Sequence, residues 1–222
     1  MSQVYFTDHP CCSRHVATEF YRQPLSQAQA VAAMRRLFLD WSALTRSEAI
    51  EFWMDAGSLL GTVRDQSIIP WDDDIDIGLS PRQFKKLVDL KGTTGISDRN
   101  RDWEPVFETD NRVLRISPCW KRIRLEQDPC YWVDGKYVDK ESGIYIDIVV
   151  YHDQAGRMVT RKYPIGQTLP VYKSEWLYPL QPAVYEGMRV YIPNDAHQVL
   201  KMEYGSGYME PDHTWVDGTW QK

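Results

Sequence analysis

The feature that most constrains this chain is a dense group of aspartates at the start of a strand pattern. Four of the five residues at 72–76 are aspartate. Apolar and polar positions then alternate up to residue 79, which predicts a β-strand with Ile75, Ile77 and Leu79 on its core face. The aspartates are therefore fixed on a core strand, where like charges repel each other unless a cation neutralises them.

Two of these aspartates are placed to share a ligand. In a strand, Asp74 and Asp76 point to the same face, with Cα atoms about 7 Å apart. Carboxylates so placed suit Mg²⁺ or Mn²⁺, which take oxygen ligands. A solvated acidic turn is the alternative, and the buried opposite face disfavours it. An EF-hand calcium loop is excluded, because its glycine and glutamate positions hold Ile77 and Gln83.

A Gly-Ser turn precedes the aspartates. The apolar run at 50–54 is typical of a buried strand, and Gly57-Ser58 then leads into a short helix over 59–63. Backbone N–H groups at such a helix start bind phosphate. Gly-Ser turns are common, but a strand, a Gly-Ser helix start and a downstream Asp-x-Asp strand together form the signature of nucleotidyltransferases. These enzymes bind nucleotide phosphates at the helix start and metal at the aspartates.

A third carboxylate lies inside a later apolar strand, at Asp147 in the run 145–150. A charged side chain in such a strand is costly unless it is paired or bound to metal. Two interpretations stay open. Asp147 forms a buried salt bridge with an arginine, or it is the third carboxylate of the metal site and a possible base for an attacking hydroxyl.

The remaining pattern mixes helices and strands. Helices are predicted from Ser26, from Ser80 and over 196–204, the last one capped by Asn194. Strands are predicted across 103–151, with a hairpin turn at Asp134-Gly135, and as a pair over 183–192 that bends at Glu186-Gly187. The fold class is therefore α/β or α+β. We expect an N-terminal arm at 1–25 and a single domain over 26–222.

Composition excludes several classes of protein. The 222 residues carry a net charge of −5, which argues against a general nucleic-acid binder. No apolar run is long enough to span a bilayer, and residues 1–25 lack a signal-peptide pattern, so a cytoplasmic protein is expected. Four cysteines do not make a disulfide scaffold. Cys11 and Cys12 bind Zn²⁺ or, as their spacing favours, are free thiols.

Longer motifs carry a family resemblance. Residues 55–64 and 69–78 resemble the core motif of the LicD family, which includes phosphocholine transferases and fukutin-related proteins. The 145–148 strand resembles the family's third-aspartate strand, and 180–205 resembles its C-terminal pattern. The resemblance implies a nucleotidyltransferase-like mixed sheet flanked by helices, with additional antiparallel strands.

The resemblance also implies a reaction. Family members move a phospho-alcohol, such as phosphocholine or ribitol phosphate, from a CDP-linked donor to a hydroxyl of a glycan or small molecule and release CMP. Transfer of the nucleotide half, and an inactive binding module of the same fold, stay open as alternatives. Eukaryotic relatives act in the Golgi lumen, so a secretory location is the alternative to the cytoplasm. The phospho-alcohol and acceptor are not identified.

Site residues follow by position in the family motifs. Asp74, Asp76 and Asp147 are the implied catalytic metal ligands for Mg²⁺ or Mn²⁺, and Asp72 is a further ligand, through water. The implied diphosphate-binding residues are Gly57, Ser58 and Arg64. Arg64 alternatively pairs internally with Asp72 or Asp73. Trp71, next to the aspartates, stacks on a cytosine or choline group or packs in the core.

Overall fold

The computed structural model describes residues 20, 25–90, 104–117, 133–160, 172–216 and 219–221. The helices are α1 (Gln27–Ser47), α2 (Ala56–Arg64), α3 (Pro81–Val88), α4 (Ser174–Leu177) and α5 (Ala196–Tyr204). The first strands are β1 (Trp53–Met54), β2 (Ile75–Leu79), β3 (Glu104–Glu108), β4 (Arg112–Ile116), β5 (Gly135–Asp139) and β6 (Tyr145–Val150). The later strands are β7 (His152–Gln154), β8 (Arg157–Val159), β9 (Tyr172–Lys173), β10 (Gln181–Tyr185), β11 (Met188–Ile192), β12 (Thr214–Val216) and β13 (Thr219–Gln221).

A six-stranded mixed sheet forms the centre of the fold, in the order β1-β2-β6-β5-β4-β3. Strands β2 and β6 are parallel, and the other neighbouring pairs are antiparallel. Three smaller antiparallel sheets are built from β7-β8-β9, β10-β11 and β12-β13. The predicted class, a mixed sheet flanked by helices with additional antiparallel strands, is confirmed.

The two faces of the central sheet differ sharply in polarity. One row across four neighbouring strands is apolar: Ile75, Ile146, Tyr137 and Leu114. This row faces α1, where the Trp41 ring lies 5.6 Å from the ring of Tyr137. The next row consists of charged residues: Asp76, Asp147, Lys136 and Arg115. Because successive strand residues alternate, this charged row lies on the opposite face.

Helix starts follow local capping rules. Ser26 and Gln29 form a reciprocal capping box at α1, and the Ser80 hydroxyl accepts a hydrogen bond from Gln83 at α3. The last helix is capped by Asp195, whose side chain accepts from the Gln198 amide. The predicted cap, Asn194, is wrong, because its side-chain amide donates to the carbonyl of Glu175 instead.

The hairpin β10–β11 supports the loop that leads to the aspartates. Its turn at Glu186-Gly187 is where the sequence predicts it. The Glu186 carboxylate accepts from the Ile68 amide at 2.9 Å and from the Arg35 guanidinium at 2.5 Å. The Glu186 amide donates to the Gln66 carbonyl at 3.0 Å. The hairpin turn therefore fixes residues 66–68, just before Trp71.

The hairpin turn predicted at Asp134-Gly135 is wrong. Gly135 is the first residue of β5, and the Asp134 amide donates to the Ile148 carbonyl at 2.7 Å. The Asp134 carboxylate also accepts from the Val150 amide at 2.7 Å. These bonds to β6 keep the chain extended at the position where a turn pattern was read.

Some expectations lie outside the described residues. They include Cys11 and Cys12, most of the N-terminal arm, and the strands expected near residues 121–133. Within the part of the chain that the structure describes, no helix is both long and apolar enough to cross a membrane.

Candidate active site

Three predicted carboxylates meet at the centre of the charged face. Asp74 precedes β2 by one residue, Asp76 lies in β2, and Asp147 lies in β6. Asp76 and Asp147 are direct partners in the parallel pairing. Carboxylate oxygens of all three lie within 4.8 Å of one another. Asp76 and Asp147 are 9% and 4% exposed, so the site sits largely within the protein.

Burial and mutual repulsion shape the electrostatics of this cluster. Burial raises the pKa of Asp74 well above its usual range, and the charges of Asp76, Asp147, Asp72 and Asp73 raise it further. Burial also raises the pKa of Asp72 to about 6, against a backbone hydrogen bond from Asp73 that lowers it. The fold therefore holds negative charge where it is unfavourable, and a cation would relieve that repulsion.

The start of α2 lies directly against the carboxylates. The Asp55 amide donates to the Asp76 carbonyl at 3.1 Å, which ties the helix start to β2. As N-cap residue, Asp55 makes no side-chain capping bond, and its carboxylate accepts from the Tyr151 hydroxyl. First-turn N–H groups have no acceptor within their own helix, and the helix dipole adds partial positive charge there. The helix start is thus suited to an anion.

Gly57 keeps the space between helix and carboxylates open. A Cβ at this position would lie 2.8 Å from Asp72 Oδ2 and 3.7 Å from Asp76 Oδ2. A side chain at position 57 would therefore fill the space where the helix start meets the carboxylates. Glycine at position 57 leaves this space between the helix start and the acidic cluster open.

Ser58 turns its side chain inward. It is 3% exposed, and its hydroxyl accepts from the Asp76 amide at 2.9 Å. Ser58 therefore positions β2 with its side chain and presents its backbone N–H at the helix start.

Arg64 ends α2 and makes contacts that the sequence did not indicate. Its Nε donates to Asp65 at 2.9 Å, rather than to Asp72 or Asp73. The guanidinium lies 5.6 Å from the centre of the Trp71 ring, which stacks on His213 at 4.6 Å. The Arg64 side chain is only 7% exposed, and its Nη2 has no hydrogen-bond partner among the described residues. Trp71 itself packs partly against the core.

Sequence reasoning missed Lys136. This residue of β5 lies opposite Asp147 in the antiparallel pairing, and its ammonium pairs with the Asp147 carboxylate. The ammonium also lies 3.4 Å from the centre of the Tyr145 ring. Asp147 therefore has a lysine where an arginine was considered, and it faces the other carboxylates as well. The available signal was a lysine directly before the apolar pair Tyr137-Val138, but its partner depends on strand register.

The Tyr145 phenol is a neutral polar group beside the carboxylate cluster. Burial raises the pKa of its phenol, and the carboxylates of Asp147, Asp74, Asp73 and Asp76 raise it further. The hydroxyl therefore stays protonated over the physiological range.

The donor set fits a hard divalent cation. Asp74, Asp76 and Asp147 offer converging oxygens, the ligands that Mg²⁺ and Mn²⁺ prefer. Asp72 and Asp73 form a second group with Asp74, and carboxylate oxygens of these three residues also lie within 4.8 Å of one another. Asp72 is therefore close enough to contact a cation held at Asp74 through a water molecule. The Gly57 space on the other side suits the phosphate that would accompany the cation.

Comparisons with known proteins agree with this geometry. A family model described as LicD/FKTN/FKRP, nucleotidyltransferase domain, matches residues 49–195. The ribitol 5-phosphate transferase FKRP of Mus musculus is 23% identical over 164 residues, which cover 72% of this chain and 29% of that protein. An uncharacterized protein of Rickettsia typhi is 26% identical over 185 residues, covering 82% of this chain and 48% of that one.

A shorter match links the chain to a bacterial enzyme. The lipopolysaccharide cholinephosphotransferase LicD of Haemophilus influenzae is 35% identical over 48 residues, or 22% of this chain and 18% of that protein. The chain thus spans about a third to a half of the length of the first two relatives and matches a small part of the third.

Proposed function

Because the chain belongs to the LicD family of nucleotidyltransferase domains, we propose that it is a metal-dependent phospho-alcohol transferase. It takes a CDP-linked alcohol as donor, passes the phospho-alcohol to a hydroxyl of a glycan or small molecule, and releases CMP. The observation that carries this proposal is the convergence of Asp74, Asp76 and Asp147 beside the Gly57 helix start.

The carboxylates hold the cation. Asp74, Asp76 and Asp147 would hold Mg²⁺ or Mn²⁺, and Asp72 would be a further ligand. The chemistry that such a cation supplies is neutralisation of negative charge on the reacting phosphate oxygens. The Ser58 hydroxyl keeps Asp76 in place through its backbone amide, so the ligand geometry is set by the fold.

Backbone and arginine groups hold the donor. The N–H groups of Gly57 and Ser58 bind the diphosphate at the start of α2. Arg64 adds a charged hydrogen bond from the Nη2 that has no partner among the described residues. In the reaction, the acceptor hydroxyl oxygen bonds to the phosphorus that carries the alcohol as the bond from that phosphorus to the CMP oxygen breaks, and the hydroxyl proton passes to the Asp147 carboxylate as base. The protein's task is to keep both oxygens in line.

A double-label experiment tests the reaction type. CDP-choline and CDP-ribitol are each supplied with one label in the alcohol and another in the cytidine, together with Mg²⁺ and a mixture of glycan acceptors. The proposal predicts the alcohol label in the acceptor and the cytidine label in free CMP. Cytidine label in the acceptor would instead identify transfer of the nucleotide half. Absence of turnover with every CDP-alcohol would favour a binding module.

A further inference from the structure

The proposed reaction leaves one buried cation of the site without a role. The Lys136 side chain is 7% exposed and pairs with Asp147, whose side chain is 5% exposed. A lysine is rarely buried to this extent unless it is paired. The register places Lys136 beside Asp147, and Asp147 beside Asp76, in one row on the charged face. Since neighbouring strands are about 5 Å apart, a lysine side chain reaches a ligand held at the carboxylates.

The charge balance of the cluster indicates what Lys136 contributes to the site. Three carboxylates lie within 4.8 Å of one another, and Lys136 offsets one of them. A single divalent cation would then make the group formally neutral. Without Lys136, the same cation-loaded group would keep a negative charge and repel a diphosphate. Lys136 therefore lowers the negative charge that a diphosphate would meet at the loaded site, to which Asp72 and Asp73 also contribute.

We infer that Lys136 is a substrate-binding residue of this site, whose ammonium binds a phosphate oxygen of the donor once a divalent cation holds Asp147. Before the cation binds, the ammonium neutralises Asp147, as the structure shows. With Asp147 engaged by a cation, the Lys136 ammonium would be available to donate to a phosphate oxygen of the donor. This inference rests on the proposed function, because it assumes a diphosphate donor.

The alternative is a counter-ion that only stabilises the apo fold. The two roles differ in the binding of nucleotide to protein already saturated with metal. A counter-ion changes the affinity for the metal, because it competes for Asp147, and it acts on a bound diphosphate only through its charge, without a hydrogen bond to a phosphate oxygen. A phosphate ligand also affects the affinity for a diphosphate when every carboxylate site is filled.

Calorimetric titration of the full chain separates these roles, with Mn²⁺ alone and with CDP at saturating Mn²⁺ as probes. We expect Lys136→Met to bind Mn²⁺ at least as tightly as wild type and CDP at least about tenfold more weakly. Lys136→Arg keeps the charge and should restore CDP affinity to within a few-fold. Lys140→Met is the matched control, since Lys140 pairs with Glu108 at 2.9 Å with both side chains 23% exposed. It should leave both affinities unchanged.

Unchanged CDP affinity in Lys136→Met, together with tighter Mn²⁺ binding, would overturn the inference and leave a counter-ion. If Lys136→Met does not fold, Lys136→Gln takes its place, because its amide can still donate to Asp147, and the same outcomes apply. Wild-type protein that fails to bind CDP with Mn²⁺ would refute the proposed donor and the inference together. If wild type binds CDP with Mn²⁺ and the Lys136 variants bind it equally well, the inference is refuted and the proposed donor is not.

Discussion

Two places on the same sheet bury aspartates in opposite ways. At the end of β5, Asp139 is 2% exposed and accepts from Arg112 and from the Ser142 hydroxyl, each at 2.5 Å. At the sheet centre, Asp74, Asp76 and Asp147 face one another within 4.8 Å, and the pKa of Asp74 is raised by burial and by its neighbours' charges. The first carboxylate is surrounded by donors, whereas the second group consists of three carboxylates that face one another, of which Asp147 also pairs with Lys136.

The different surroundings of these aspartates distinguish a carboxylate that stabilises the fold from carboxylates that bind a ligand. A buried charge with matched donors is costly to break, because removal of one partner leaves the other uncompensated. Carboxylates that repel each other weaken the fold, so their removal relieves strain and their retention points to a ligand. The following variants test this distinction.

The largest expected effect is on catalysis at the sheet centre. Asp74→Asn combined with Asp76→Asn should reduce phospho-alcohol transfer by at least about 10³-fold, because the cation loses two ligands. The fold should persist, with a melting temperature in metal-free buffer equal to or above that of wild type. The assay for transfer measures CMP release, and thermal melting measures stability. Undiminished turnover would refute the assignment of these aspartates.

The next effect concerns stability at the end of β5. Asp139→Asn should lower the free energy of unfolding by about 2 kcal/mol, since Arg112 is 13% exposed and loses a buried partner but keeps its ion pair with Asp40. Urea denaturation measures the loss, and Mn²⁺ affinity of the folded protein should stay unchanged. If the variant were as stable as wild type, the Asp139 carboxylate would not be one that stabilises the fold.

A smaller effect is expected at the helix start. Gly57→Ala should weaken CDP binding about tenfold, because its Cβ would lie 2.8 Å from Asp72 Oδ2 and narrow the phosphate space. Stability should hold, since alanine favours a helix. Gly61→Ala in the same helix is the control, because its Cβ would lie 2.5 Å from the Ser67 carbonyl oxygen. That variant should lose stability, and equal CDP affinity in Gly57→Ala would contradict the phosphate role.

The smallest effect is expected at the supporting hairpin. Glu186→Gln removes an ion pair with Arg35, which is 54% exposed, while the glutamine oxygen still accepts from the Ile68 amide. The free energy of unfolding should fall by about 1 kcal/mol, as urea denaturation would show. A much larger loss would mean that the carboxylate charge itself holds the loop before Trp71.

Local patterns in the sequence were enough to predict the elements that present the site. Alternation at 74–79 identifies β2 and puts its aspartates on one face, and Ser26 and Ser80 act as the caps that their positions indicate. The turn at Glu186-Gly187 follows the same rule. In each case the signal lies within a few neighbouring residues.

The contacts that define the charge balance depended on strand register instead. Lys136 and Asp147 are 11 residues apart, and only the pairing of β5 with β6 brings them together. The turn predicted at Asp134-Gly135 was wrong because bonds to β6 override the local pattern. Arg64 forms an ion pair with its neighbour Asp65 rather than with Asp72 or Asp73. Such partners are set by tertiary structure, which a single sequence does not reveal.

The most direct test of the distinction between the two places is calorimetric titration with Mn²⁺. Wild type and Asp139→Asn should bind Mn²⁺ with the same affinity, and the Asp74→Asn, Asp76→Asn double variant should bind at least about 100-fold more weakly. Equal binding by all three proteins would show that the central carboxylates do not hold the cation, and would contradict the account of this site.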